Sequence, residues 1–320
     1  MTPSLYENTL AKDEYTYCKR ASGKQLSELK NFRDTFITER DFKWLKEHGI
    51  TSVRLPVGYW VFGDIKPFVG TIDYVDLAFE WAKKYKISVL LDFHGLAGSQ
   101  NGRDHSGKAG TVSWHKNSAN IRQSLTTIDR LSERYSNHSA FIGISLMNEP
   151  HPMIPKRIIL EFYKNAYEII RKNCGTNPWV VFSDGYLPLR WKKELALDQF
   201  INVYIDTHHY QAHTPIDKIL SLRLNLLRAR VLLPLKIARL RKYHPVIVGE
   251  WSLALGNRRF NKLSDVQREP IARAYCQAQL MAFNKTEAWY FWSYKTETTN
   301  LWSFRYCVEN HLLITNQGDK

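Results

Sequence analysis

The chain has 320 residues, of which 44% are hydrophobic, enough for one large folded domain and too apolar for a disordered segment. A surplus of 45 Lys and Arg over 31 Asp and Glu leaves a net charge of +14, which draws a protein toward anionic polymers and membrane surfaces. No zinc-finger, RNP or helix-turn-helix pattern accompanies that charge, so no nucleic-acid partner is expected.

The four cysteines (Cys18, Cys174, Cys276, Cys307) are far apart and form no CxxC pair, so no metal or other cofactor is expected. No apolar run reaches the ~18 residues of a membrane-spanning helix, and the N-terminus lacks a charged-then-apolar leader. The sequence as it stands points to the cytoplasm, or to a secreted or periplasmic protein if the true start lies upstream.

Residues 1–48 read as helices and loops. Apolar residues Leu26, Leu29, Phe32, Phe36, Phe42 and Leu45 recur at helical spacing, and Thr38 with Asp41 forms an N-cap pattern before a helix over 39–48. Strands follow at 52–57, carrying Arg54, and at 88–93, ending at His94, with a helix over 73–86 between them. A Gly-rich loop over 95–113 leads to a helix over 117–135.

The run Gly143-Ile144-Ser145-Leu146-Met147 then reads as a strand buried on both faces, leading into Asn148, Glu149 and Pro150. Pro150 cannot donate to a sheet ladder and favours extended geometry at Glu149, so the strand is expected to stop there. A helix over 156–173 and strands at 179–183, 202–207, 245–249 and 288–292 follow, with a basic helical stretch over 215–243 and a helix over 265–284.

Seven short strands alternating with helices are the pattern of βαβ units and a parallel sheet. No Gly-rich phosphate loop follows an early strand, which disfavours a doubly wound sheet. The expectation is a single domain over 1–320, a (β/α)8 TIM barrel lacking its first strand in this chain. Barrel active sites are built at strand C-termini. Here those ends carry Arg54, His94, Asn148, Glu149, His208, Tyr210, Glu250 and Trp292.

Two glutamates, each closing a buried strand, fit glycosidic bond cleavage. One carboxylic acid protonates the leaving oxygen, and a carboxylate on the other side of the sugar attacks, with retention when the two stand about 5–5.5 Å apart. The residues alone do not say which glutamate does which. Arg54 is suited to hold a carboxylate ionised, Asn148 to bind a sugar 2-hydroxyl, and His94 and His208 to donate to hydroxyls or to the glutamates. His208 and His209 alternate faces, so they cannot both point inward. Tyr210 is placed to steer the charge of a nucleophile, and Trp292 to form a flat floor under a sugar ring.

These residues sit in stretches that resemble glycoside hydrolase family five, and within it the exo-β-1,3-glucanase branch: TPSLYE at 2–7, DTFITERDF at 34–42, VRLPVGYWVF at 53–62, LDFHGLAGSQNGRDHSG at 91–107, LMNEP at 146–150, THHYQ at 207–211, VGEWSLAL at 248–255 and FWSYKTE at 291–297. The resemblance implies a metal-free retaining mechanism, with Glu149 as acid/base and Glu250 as nucleophile. Asp104 of the Gly-rich loop joins the sugar-binding residues.

In that branch two phenylalanines clamp a second sugar, and the matching positions here are Arg103 and His213, which favour hydroxyls or an anionic group. The branch's opening strand, with its Gly-Gly-Trp and a sugar-binding Glu, is absent before TPSLYE. The segment from Gly256 to Ser264 is short, so the site is expected to be more open on that side.

The expected activity is therefore that of a monomeric β-glucosidase or exo-glucanase acting on a β-linked glucan, oligosaccharide or glucoside. The other reading is an inactive or truncated barrel that only binds carbohydrate. Residues 216–243 hold eight Lys and Arg against one Asp, with Leu and Ile between them. They read either as a barrel helix with a solvated basic face, kinked at Pro234, or as an amphipathic surface for weak contact with anionic lipid.

Overall fold

The computed structural model describes residues 3–7, 9–195, 199–298 and 300–314; Thr2 of the TPSLYE stretch lies outside them. The chain forms two compact units, one running to Gly185 and taking in Ile201–Val203, the other made of Tyr186–Phe200 and the residues from Tyr204 onward.

In the first unit four parallel strands pair in chain order: β1 (Ser52–Gly58), β2 (Ser88–Gly95), β3 (Phe141–Ser145) and β4 (Trp179–Ser183). Each successive pair is joined by a crossover helix, Ile72–Tyr85, Ser118–Tyr135 and Lys156–Cys174. β2 is buried from Val89 to Gly95, as expected of a strand covered on both faces.

The helices supply the cover through stripes at 3.6-residue spacing: Val75, Ala78, Phe79 and Ala82 on the first, Ile159, Phe162, Tyr163, Ala166 and Ile170 on the third. Phe79 stacks on Tyr135 with centroids 3.9 Å apart, and burying one such side chain contributes about 1.5–3 kcal/mol. The first helix ends where Lys86 turns left-handed at φ 52°.

The N-terminal segment contains helices Glu14–Arg20, Gly23–Phe36 and Glu39–Glu47. The apolar spacing that runs on past Phe36 is broken at Ile37–Thr38, because the Asp41 carboxylate accepts the Thr38 backbone N–H at 2.8 Å and starts a new helix there. The segment also pins the Gly-rich loop. Tyr15 N–H donates to the Gly107 carbonyl at 2.9 Å, and Ala109 N–H to Asp13 Oδ2 at 2.8 Å.

Trp60 lies against Gly107, whose φ of +86° and lack of a Cβ both suit the close approach of the indole. The indole N–H donates to Glu14 Oε1 at 3.1 Å. Burial pushes the Glu14 carboxyl above its ordinary range, against the pull of Arg33 and of the Trp60 hydrogen bond.

In the second unit β5 (Val203–Gln211; Val203 itself lies in the first unit), β6 (Val246–Leu255) and β7 (Ala288–Phe291) are parallel and paired in that order. Helix Asp265–Phe283 joins β6 to β7, its start fixed by a capping box between Ser264 and Gln267. The stretch between β5 and β6 is not one helix. It runs as Pro215–Ile219, Leu222–Leu227, a wide π turn over Arg228–Leu232, and Leu233–Leu240. Pro234 lacks an N–H and its ring crowds the carbonyl four residues back, so the ladder widens just before it. Leu233 N–H accordingly reaches the Arg228 carbonyl, five residues back.

Candidate active site

Glu149 belongs to the first unit and Glu250 to the second, and each has its own set of neighbours. β3 stops at Ser145, five residues before Pro150 and earlier than the apolar run implies. Past it, single hydrogen bonds still hold the chain: Leu146 N–H to the Val181 carbonyl at 2.8 Å and Asn148 N–H to the Phe93 carbonyl at 3.2 Å.

Glu149 is not extended before Pro150. Its φ is +44°, a conformation that costs a non-glycine residue about 1–3 kcal/mol and is kept only where the surroundings impose it. Gln100, wholly buried, helps to impose it by donating to the carbonyls of His94 and Asn148 at 2.7 and 2.8 Å while accepting from Leu96 N–H.

Arg54 lies within β1, four residues short of its end, and not at the strand terminus. Its guanidinium donates to Asn148 Oδ1 at 2.8 Å and pairs with Asp92 Oδ1 at 3.0 Å, both charged side chains being out of solvent. The carboxylate it pairs with is therefore a strand residue that the sequence pattern did not single out. Asp92 also holds His94, with Nδ1 to Oδ2 at 2.6 Å, and His94 Nε2 lies 3.3 Å from the Asn148 amide nitrogen. One buried network thus fixes Arg54, Asp92, His94 and Asn148.

Breaking a buried ion pair from one side strands the other charge, at a cost of about 3–5 kcal/mol. Asp92→Ala is expected to lower stability by that amount. Denaturant unfolding measures it, and a loss below 1 kcal/mol contradicts the assignment.

His105 is a further neighbour of Glu149, with Nε2 3.5 Å from Oε2. Burial pulls its pKa down to about 4, aided by nearby His94 and opposed by Glu149, so the ring is neutral at pH 7. The residue stands in the Gly-rich loop beside Asp104, and only its place in that motif marked it. Arg103 and Asp104 are exposed on the same loop.

In the second unit Glu250 is 5% exposed and lies inside β6, whose pairing runs on to Leu255. Register shifts flank it on both sides, between Asp206 and His208 in the β5 pairing and between Val248 and Trp251 in the β7 pairing. Such bulges re-aim side chains, which explains how a mid-strand residue presents its carboxylate. Gly249 is required beside it: a Cβ there meets the Asp206 carboxylate, and its N–H donates to Asp206 Oδ1 at 2.7 Å.

Tyr210 O–H donates to Glu250 Oε2 at 2.8 Å, and His208 Nδ1 lies 3.5 Å from the same oxygen. The other nitrogen of His208, Nε2, is 3.3 Å from Asp206 Oδ2. Asp-x-His therefore recurs on β2 and β5, in each case with the carboxylate two residues before the imidazole it holds. Period-two alternation puts both on one face, and that spacing is the signal by which Asp92 and Asp206 can be found in the sequence.

His209 faces the other way, beside Lys236 and Arg228; burial first, then those cations, bring its pKa down to about 3. Tyr210, His213 and Trp302 form an aromatic cluster with centroids 5.2–5.5 Å apart. Trp292 follows β7 directly, half-buried, its N–H donating to the Trp251 carbonyl at 2.8 Å. Within Gly256–Ser264, Asn257 and Phe260 are buried, so part of this short segment packs against the unit.

Residues 17–298 match the family model described as Cellulase (glycosyl hydrolase family 5). The chain belongs to this family. Among its relatives, a probable glucan 1,3-beta-glucosidase A of Aspergillus niger is 32% identical, over 100% of this chain and 85% of its own length. A glucan 1,3-beta-glucosidase of Schwanniomyces occidentalis is 30% identical over 95% of this chain and 81% of that protein.

Among solved structures, a rutinosidase from Aspergillus niger aligns with a TM-score of 0.77 at 20% identity, covering 96% of this chain and 92% of that one. The structure of AoRut aligns with a TM-score of 0.80 at 20% identity, over 94% and 88% of the two chains. The family's (β/α) barrel is thus the fold of this chain, as the alternation of strands and helices led one to expect.

Proposed function

We propose that the chain is a retaining β-glucosidase that removes glucose from a β-linked glucan, oligosaccharide or glucoside by double displacement. Glu250 is the nucleophile and Glu149 the acid/base. The observation that carries this reading is the setting of Glu250, a buried carboxylate with one oxygen accepting from Tyr210 O–H. Its support from relatives is the similarity, along almost the whole chain, to proteins named as glucan 1,3-beta-glucosidases.

In the first step Glu250 attacks the anomeric carbon while Glu149, as the acid, gives its proton to the leaving oxygen. In the second, Glu149 takes a proton from water, which displaces Glu250 and restores the β configuration. The Tyr210 hydrogen bond fixes the orientation of the Glu250 carboxylate before attack. Asn148, with its amide oxygen taken by Arg54 and one Nδ2 hydrogen turned to His94 Nε2, has its second Nδ2 hydrogen to offer a sugar hydroxyl. His94 and His208 are each fixed in orientation by an aspartate at one ring nitrogen, the other nitrogen facing Asn148 in His94 and Glu250 in His208. His213, Asp104 and Arg103 are assigned to the sugar or aglycone beyond the bond cleaved. A guanidinium and an imidazole at these positions favour a hydroxyl-rich or anionic partner over a bare sugar face.

Incubation with β-1,3-, β-1,4- and β-1,6-linked gluco-oligosaccharides and an aryl β-glucoside, with products resolved by chromatography, tests the reading. Glucose should appear from the first time points without shorter oligosaccharide ladders from internal cleavage. No hydrolysis across the panel contradicts it.

A further inference from the structure

We propose that the outer face of the helical stretch from Pro215 to Leu240 docks on the surface of an anionic phospholipid bilayer. A barrel helix needs one apolar stripe, turned inward. This stretch has that stripe in Ala229, Leu233, Ile237 and Leu240, all buried. It has a second one turned outward. Leu224, Leu227, Val231 and Leu235 follow one another at intervals of three and four residues and are 44%, 52%, 44% and 60% exposed. Ile219 and Leu232, at 74% and 58%, widen it. A merely solvated basic face has no use for six exposed aliphatic side chains, and a patch of this kind marks a contact surface.

The charge beside the stripe selects the contact. Arg223, Arg230, Arg239, Arg241 and Lys242 are exposed around it. The single acid of residues 216–243, Asp217, is buried and paired with Arg228 at 2.7 Å. A second copy of the chain is therefore a poor occupant, since a two-fold contact sets these cations against themselves.

A cavity of about 680 Å³ opens on the same face, with Leu187, Leu189, Leu232 and Leu235 along its walls and Arg190 and Arg239 among its lining residues. Aliphatic walls with guanidinium groups match an acyl chain below a phosphate headgroup. Leucines inserted at the headgroup boundary with cations alongside are the pattern of interfacial helices, in which each cation adds attraction to anionic lipid.

The test is flotation of the purified chain with phosphatidylcholine vesicles, with and without phosphatidylserine. The chain should float only with the phosphatidylserine vesicles. Leu227→Ser with Leu235→Ser, and separately Arg230→Glu with Arg239→Glu, should each weaken partitioning by about tenfold or more, leaving aryl β-glucoside turnover unchanged as the check on folding. Absence of wild-type flotation overturns the proposal. So does a leucine variant that floats like wild type, which leaves only charge adsorption. Concentration-dependent dimerisation that the leucine variant abolishes, in a protein that does not float, assigns the face to a second copy and also overturns it.

Discussion

Glu250→Ala should lower turnover of an aryl β-glucoside on the order of 10⁴-fold or more, because the covalent route is lost and no neighbouring group replaces it. The fold should survive, since alanine keeps the strand backbone of Glu250 in place and His208 stays held by Asp206. Azide supplied in solution should restore part of the rate, attack the face that Glu250 vacates and give an α-glucosyl azide. Turnover within tenfold of wild type, without added nucleophile, is incompatible with Glu250 as nucleophile.

Glu149→Ala has a different signature. Loss of a general acid and base costs about 10²–10⁴-fold. The cost should be largest for poor leaving groups, which need the proton, and smaller for the first step with an activated phenol. Azide, which needs no base, should then attack the glucosyl enzyme and yield a β-glucosyl azide. Steady-state kinetics across leaving groups, with the configuration of the azide product read by NMR, separates the two glutamates. An α-azide from the Glu149 variant and a β-azide from the Glu250 variant reverse the assignment.

His105 bears on this pair. Its low pKa keeps it uncharged at neutral pH, so it offers Glu149 a polar neighbour and not a fixed positive charge.

Most strands were legible because each is a short β-branched or aliphatic run bounded by turn residues, as Trp179–Ser183 is. The polar groups at or near their ends were legible as candidates because barrels put their chemistry there. What the sequence did not disclose depends on neighbours distant in the chain. β5 and β6 outrun their apolar cores because bulges around Glu250 let polar residues continue the ladder.

Glu149 adopts a positive φ against the local preference imposed by Pro150, and Gln100, far from it in sequence, helps to hold the adjoining backbone. Asp92 passed as one polar residue inside a strand, its spacing to His94 the only local sign of its pairing with Arg54 and His94. The outward leucines of the basic stretch were visible as residues. Which way they face was not, since the π turn before Pro234 shifts the helical register.

Trapping of the glycosyl enzyme shows directly which side chain carries the sugar. The chain is incubated with a 2-deoxy-2-fluoro-β-glucoside bearing an activated leaving group, then digested and mapped by mass spectrometry. One fluoroglucosyl unit per chain should appear, on the peptide and side chain of Glu250, with activity lost in step with labelling. A label on another residue, or turnover of the natural-configuration glucoside with an α-anomer as the first product, contradicts the proposed mechanism.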